Sequence, residues 1–229
     1  MTKNASLIPH PLIQVAGVCD EEEMQLLLAN DVDWLGIPLR LPVNREDLSE
    51  EAATKLFDYL ADRAVLITYL KKATEIIEFC HDMGAHRVQL HGDIATEELN
   101  ILRTNAADLY LIKSLVVKTG NRKELRKQLL ELEGLVDCFI TDTHDPVTGA
   151  DGATGKTHDW QISRMLVEAS SKPVVLAGGL NPVNVGEAIR IVKPAGVDVH
   201  TGVEGPDGRK SVALVRRFVR EARSAFSRL

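Results

Sequence analysis

The chain has 229 residues, 45% of them hydrophobic and 26% charged, which is typical of a globular protein with a sizeable core. A formal net charge of -6 argues against a nucleic-acid surface, because phosphate backbones are bound by clustered lysine and arginine. No apolar stretch approaches the roughly 20 residues needed to span a bilayer, so no membrane partner is expected. The cysteines Cys19, Cys80 and Cys138 lack the paired short spacings that hold zinc, which indicates no metal and a cytoplasmic location.

Short apolar runs rich in β-branched residues recur along the chain, and each is followed by a longer stretch with helical spacing of apolar residues. The predicted strands are 12–16, 32–37, 64–68, 86–91, 108–115, 135–141, 172–178 and 196–200. The predicted helices are 21–30, 49–63, 73–84, 96–105, 122–134, 160–170, 184–194 and 211–226. Strand and helix therefore alternate throughout, without a linker or a break in composition.

This alternation predicts the fold class. Several predicted strands are apolar on consecutive residues, which is typical of parallel strands covered on both faces. About eight such units in residues 1–229 favour a single-domain α/β protein, the closed (β/α)₈ TIM barrel. An open, doubly wound sheet is the alternative, although its GxGxxG fingerprint is absent after the first strand.

The segment "GATGKT" at 152–157 resembles the end of a nucleotide-binding P-loop. A P-loop requires a glycine five residues before the one that precedes its lysine, because successive backbone N–H groups wrap the phosphates. That position holds Ala150, and Gly149 lies one residue too early. The P-loop is therefore the minority interpretation of this segment.

Glycines follow the last two predicted strands, where a barrel of this type carries its chemistry. Gly178 and Gly179 follow the seventh strand, and Gly202 follows the eighth. Paired glycine turns at these places indicate a phosphate site, because several backbone amides can meet one oxyanion. Glycines also end strands simply to turn the chain, and that alternative stays open.

Two side chains at the ends of other strands are candidates for the chemistry. Asp142 ends the sixth strand, where a carboxylate can give or take a proton or merely cap a turn. His91 closes "VQLHG" after the fourth strand, where it could orient a substrate or sit in the rim of the barrel.

Four segments together carry a resemblance to a known family: "VQLHG", "TDTHDPVTGADGATGKTHDW", "VVLAGGLNPVNVGEAI" and "GVDVHTGVEGPDGRKS". They resemble the phosphoribosylanthranilate isomerases, (β/α)₈ enzymes of tryptophan biosynthesis, and the resemblance covers nearly the whole chain. The GxTGKTxDW pattern is highly specific to that family, where it forms a long loop after strand six. The resemblance thus implies that Lys156 and Thr157 belong to a barrel loop and bind no nucleotide.

The resemblance implies an Amadori rearrangement of an N-linked phosphoribosyl aminoaldose to an aminoketose, without a cofactor. A general acid opens the furanose ring, and a general base removes the proton from the neighbouring carbon. The family's acid matches Asp142, and the arginine that holds the anthranilate carboxylate matches Arg45. The phosphate turns match Gly178, Gly179 and Gly202. Members of the family occur as monomers and homodimers.

The general base is where this chain departs from the family pattern. The family's first strand carries a cysteine as base, and "QVAGVC" has Ala16 at that position. Cys19, three residues onward, is a possible substitute, as are His144 and Asp145 in the loop after strand six. His200 and Thr201 also replace small polar residues beside the phosphate turn. The chain could therefore act on another phosphorylated sugar, or bind a phosphorylated ligand without catalysis.

Overall fold

The computed structural model describes residues 8–41, 48–143 and 157–229. Its strands are Leu12–Ala16 (β1), Trp34–Pro38 (β2), Ala64–Thr68 (β3), Arg87–Leu90 (β4), Tyr110–Val117 (β5), Cys138–Thr143 (β6), Val174–Leu176 (β7) and Gly196–Val199 (β8). Its helices are Glu21–Leu28 (α1), Glu50–Leu60 (α2), Ala73–Met83 (α3), Thr96–Asn105 (α4), Arg122–Leu132 (α5), Trp160–Ala169 (α6), Val185–Val192 (α7) and Val212–Phe226 (α8). Two 3₁₀ turns lie at Ala61–Arg63 and Thr201–Val203.

The strands form one closed parallel barrel in chain order, in which β8 pairs with β1. This confirms the predicted (β/α)₈ fold and excludes the open sheet. The fifth and sixth strands extend beyond the predicted ranges, because their pairing runs from Ile112↔Cys138 to Val117↔Thr143. Hydrogen bonding to a neighbour thus carries β6 past its apolar run and through Asp142.

Alternation along the strands divides the apolar core into two layers. The inner layer fills the barrel, and an outer layer packs the other strand faces against the helices, with Ile13 and Val15 of β1 among its members. The inner layer consists of Leu12, Ala16, Trp34, Val65, Ile67, Ile112, Cys138, Ile140, Val175 and Ala177. Residues that share the parity of Ala16 on β1 therefore face the barrel interior.

Carboxylates at the amino-terminal end of the barrel hold strands in register. The backbone N–H of Ile13 donates to Asp33 Oδ2 at 2.7 Å, and Arg223 of α8 forms an ion pair with the same oxygen at 2.7 Å. In the same way, Asp137 Oδ2 accepts a hydrogen bond from the backbone N–H of Leu111 at 2.8 Å. Each carboxylate thereby satisfies a strand donor that lacks a ladder partner.

We expect Gly196→Ala to destabilise the barrel by about 1–3 kcal/mol, the usual cost of overpacking. A Cβ at this position would lie 2.5 Å from Leu12 Cβ and 2.7 Å from Leu12 O, so the paired strands would have to separate. Urea unfolding measures the loss. Gly134→Ala is the matched control, because a Cβ there meets nothing within 4 Å. Equal transition midpoints for the two variants would contradict this account of the packing.

Candidate active site

A chain of polar side chains crosses the barrel interior from β1 to β6. Gln14 Nε2 donates to Gln89 Oε1 at 2.9 Å, and Gln89 Nε2 lies 2.6 Å from His91 Nε2. His91 Nδ1 in turn lies 3.4 Å from Asp142 Oδ2. Because the Gln89 amide donates to Nε2, the hydrogen of the neutral His91 ring belongs on Nδ1, facing the carboxylate. All four side chains are buried.

Asp142 lies near the carboxyl end of β6 and shares the inward parity of Cys138 and Ile140. Only 6% of it is exposed, and its Oδ1 accepts the backbone N–H of Thr143 at 2.7 Å. The Asp142 carboxylate is thus held by its own strand on one side and by His91 on the other. Such an arrangement can pass a proton to a ligand above it.

The position of His91 is fixed by contacts on both sides. Its ring centroid lies 5.2 Å from that of Tyr69, which follows β3. Behind it, Lys113 Nζ donates to the carbonyl of Gly92 at 2.9 Å and approaches that of Leu90 at 3.4 Å. Because these two carbonyls flank His91, the buried Lys113 fixes the turn that carries the imidazole.

The glycine turns after β7 and β8 pack too closely to admit side chains. A Cβ on Gly178, whose φ is +98°, would lie 2.1 Å from Thr143 Oγ1. A Cβ on Gly202 would lie 1.9 Å from the carbonyl oxygen of Leu180, which follows Gly179. The turn after β8 therefore packs directly against the backbone of the turn after β7.

Ala16 ends β1 on the inner face of the barrel and is 5% exposed. Its methyl group neither donates nor accepts a proton. The nearest part of β2 is Gly36, where an added Cβ would lie 3.1 Å from the Ala16 Cβ. The same Cβ would lie 2.7 Å from Ile67 Cδ1, so Ala16, Gly36 and Ile67 pack closely at this point of the barrel.

Cys19 lies in the loop before α1 among acidic groups. Burial and the neighbouring Glu23 and Asp20 carboxylates raise the pKa of its thiol to about 12. The side chain of Glu23 also accepts the backbone N–H of Cys19 at 3.3 Å. At neutral pH the thiolate form is therefore scarce, which argues against Cys19 as a general base.

Asp198 is an inward-facing carboxylate that the sequence reasoning missed. It pairs in register with Gln14 of β1, is 8% exposed, and its Oδ1 lacks a hydrogen-bond partner among the described residues. Burial raises its pKa to about 7, against a hydrogen bond from Gln14 and the charge of Lys210, which lower it. The signal was present in "GVDVH", where one acidic residue interrupts an apolar strand.

Two histidines lie beside the glycine turns. His158 bridges the β6 end and α6, since its Nδ1 lies 2.8 Å from Thr143 Oγ1 and its Nε2 lies 2.6 Å from Ser163 Oγ. His200 packs on Gly17, and its Nε2 lies 3.4 Å from Glu204 Oε1. Burial lowers the pKa of each imidazole to about 4, so both are neutral near pH 7.

Other sequence candidates lie outside the described residues: Arg45, His144, Asp145 and all of the "GATGKT" segment except Thr157. Within residues 8–41, 48–143 and 157–229, no group of three His, Cys, Asp or Glu side chains could hold a metal ion. Over the same residues, no helix has both the length and the apolar character to cross a membrane.

Fold and site together define a class of protein: a parallel (β/α)₈ barrel with carboxylates at its mouth beside paired glycine turns. Comparison with known proteins narrows the class. The family model described as N-(5'-phosphoribosyl)anthranilate (PRA) isomerase matches residues 13–221. The chain therefore belongs to the N-(5'-phosphoribosyl)anthranilate isomerase family.

Individual relatives agree with this family membership. The chain is 35% identical to N-(5'-phosphoribosyl)anthranilate isomerase 2 of Methanosarcina mazei, covering 93% of this chain and 95% of that one. It is 37% identical to the isomerase of Haloferax volcanii, with 93% of both chains covered. The solved structure of the Pyrococcus furiosus isomerase superposes with a TM-score of 0.78 at 27% identity, covering 94% of this chain and 100% of that one.

We expect the free energy of unfolding of the wild type to rise relative to that of His158→Gln as pH increases from about 4 to 6.5. These limits are the lowered pKa of His158 and its ordinary value. Over that interval the unfolded imidazole binds a proton that the folded one does not, so stability is lost as pH falls. Urea unfolding of wild type and variant at several pH values measures this difference. The exposed His81 supplies the control variant, His81→Gln. Parallel pH curves for wild type and His158→Gln would refute the assignment.

Proposed function

We propose that this chain isomerises N-(5'-phosphoribosyl)anthranilate in tryptophan biosynthesis. The observation that carries the proposal is the family match over residues 13–221, together with a buried carboxylate–imidazole pair at the barrel mouth. The family match supplies the substrate, since the relatives are named for it. The pair supplies a group that can act as a proton donor.

In the proposed reaction, Asp142 protonates the ring oxygen of the furanose, the bond from that oxygen to the anomeric carbon breaks, and a Schiff base forms. His91, 3.4 Å from Asp142, orients the carboxyl group. A base then removes the proton from the next carbon, and the resulting enolamine tautomerises to the ketone. Electrons and atoms balance within the substrate, so no cofactor is required.

Two other contacts are proposed for the substrate. Its phosphate binds at Gly178, Gly179 and Gly202, supported by the close backbone contact of the two turns. Its anthranilate carboxylate binds Arg45, a role that rests on the sequence resemblance alone. A third proposed contact is His91, which follows β4 and contributes to substrate binding.

The wider setting of the protein is also a proposal. Residues 1–229 form one domain, which acts in the cytoplasm as a monomer or homodimer with a phosphorylated small molecule as its partner. The acidic net charge of -6 supports the absence of nucleic acid.

We expect Gly202→Ala to weaken the binding of ribose 5-phosphate at least tenfold, because its Cβ would collide with the backbone at Leu180 and separate the two turns. Isothermal titration calorimetry measures the change. Gly205→Ala in the same loop is the control, since its Cβ would meet only the side chain of Asp207 within 3 Å. Equal affinities for wild type and Gly202→Ala would show that the phosphate does not bind at these two turns.

We expect Asp142→Asn to lower kcat for N-(5'-phosphoribosyl)anthranilate by about 10²–10⁴-fold, the usual contribution of a positioned acid. Asp108→Asn, at an exposed site before β5, makes the same charge change and should leave the rate unchanged. Fluorescence-monitored steady-state kinetics compares the variants. A wild type that binds phosphorylated ligands without turnover would favour the non-catalytic alternative, which Ala16 keeps open. Turnover of another phosphorylated sugar, without turnover of N-(5'-phosphoribosyl)anthranilate, would favour the alternative of an enzyme with a different substrate.

A further inference from the structure

The proposed function leaves one chemical role unfilled, and this inference rests on that function. The isomerisation requires a base at the carbon next to the Schiff base, and Ala16 has no group that accepts a proton. A substitute must lie on the inner face of the barrel, close to the end of β1. It must also have an atom free to receive the proton.

Asp198 meets these requirements through its place in the barrel. β8 is hydrogen-bonded directly to β1, with Asp198 opposite Gln14. Ala16 follows Gln14 by two residues on the same inner face, so it lies one inward step above this pair. Because Ala16 ends at its Cβ, β1 places only a methyl group one inward step above this pair.

The bonding of Asp198 leaves one oxygen available. Gln14 and the backbone N–H of Val199 donate hydrogen bonds to the carboxyl group. Its Oδ1 has no partner among the described residues, although the side chain is more than nine-tenths buried. A buried carboxylate oxygen without a donor is costly, and natural proteins keep such groups mainly where function uses them. Accepting a proton from a C–H bond of the substrate is one such function.

The other candidates are less well placed. Cys19 lies in the loop after Gly17, and the acidic groups around it favour its neutral thiol. The His200 ring packs on Gly17 with its Nε2 facing Glu204 at 3.4 Å, while Glu204 forms an ion pair with Lys210 at 2.6 Å. His200 shares the inward parity of Asp198, but burial lowers the pKa of its imidazole to about 4, which makes it a weak proton acceptor.

We propose that Asp198 is the general base of this chain. One of its oxygens takes the proton from the carbon next to the Schiff base, and the C–H electron pair forms the carbon–carbon double bond of the enolamine. The electrons of the C=N bond move to nitrogen and neutralise it. Asp198 is then neutral and returns its proton to the former imine carbon, while the enol O–H proton passes to the Asp142 carboxylate and the ketone forms.

The surroundings of Asp198 suit this cycle. Its pKa, raised to about 7 by burial, makes proton gain and loss nearly balanced at neutral pH. The neighbouring strands contribute Gln14 from β1 and the apolar Val175 and Ala177 from β7 to the interior. Lys210 is the charged group whose field lowers this pKa.

The test uses the full chain with N-(5'-phosphoribosyl)anthranilate. Asp198→Asn keeps the shape of the side chain and should lower kcat at least 100-fold with KM within about threefold, since it removes only a proton acceptor. Adding Ala16→Cys to this variant should raise kcat at least tenfold above that of Asp198→Asn, because the thiol supplies a base one inward step away. Asp108→Asn is the control for the charge change alone.

A pH profile separates a base from a structural residue. Wild-type kcat/KM should fall on the acid side with an apparent pKa near 7. In the Asp198→Asn, Ala16→Cys double variant that limb should move up toward the ordinary thiol pKa of about 8.5. If Asp198→Asn does not fold, as judged by circular dichroism, Asp198→Ser replaces it, and the wild-type acid limb tests the base independently.

Each failure has a distinct signature. An active Asp198→Asn enzyme with wild-type kcat overturns this inference and leaves the proposed function intact. A loss of kcat in Cys19→Ser with none in Asp198→Asn assigns the base to Cys19 instead. A wild type without turnover at any pH overturns the proposed function and this inference with it.

Discussion

Closure of the parallel barrel is the constraint on which the rest of this structure depends. Once β8 pairs with β1, each strand has two fixed neighbours, and alternation decides which residues face the interior. A shift of one residue in any strand would move its inward side chains to the outer layer. The carboxylates Asp33 and Asp137 at the amino-terminal end resist such a shift by holding strand N–H groups.

Closure also concentrates polar groups in a space that would otherwise be apolar. Gln14, Gln89 and His91 come from β1, β4 and the turn after β4, yet they form one hydrogen-bonded row. Burying each of them alone would cost free energy, and the shared bonds offset much of it. Asp142 and Asp198 lie at opposite ends of this row, each in contact with a member of it. The row therefore ties two buried carboxyl groups into one polar network.

Ala16, where the family resemblance predicts a cysteine, is accommodated within the packed framework of the barrel. Ala16 packs in the inner apolar layer with Trp34 and Ile67, and its small volume suits a barrel mouth where β2 contributes Gly36. The paired turns at Gly178 and Gly202 keep their close backbone contact. The closed barrel and the contact between its last two turns are thus both present around Ala16.

The sequence alone determined the order of strands and helices, because apolar periodicity is a local property that each segment carries in its own residues. It also predicted the strand-end positions of Asp142 and the glycine turns, since the fold class fixes where such residues lie. The assignment of their roles stays a prediction. β5 and β6 end at Val117 and Thr143 instead of at 115 and 141, because hydrogen bonding between the two strands, which no local pattern records, continues to those residues.

Only the tertiary structure decided which distant residues meet. Gln14 and Gln89 are 75 positions apart in the chain, and nothing in either segment announces the other. The unpartnered oxygen of Asp198, the carbonyl contacts of Lys113 around His91 and the high pKa of the Cys19 thiol likewise arise from neighbours brought together by closure. Burial and charge at a site are sums over spatial neighbours, so they become defined only when the barrel is formed.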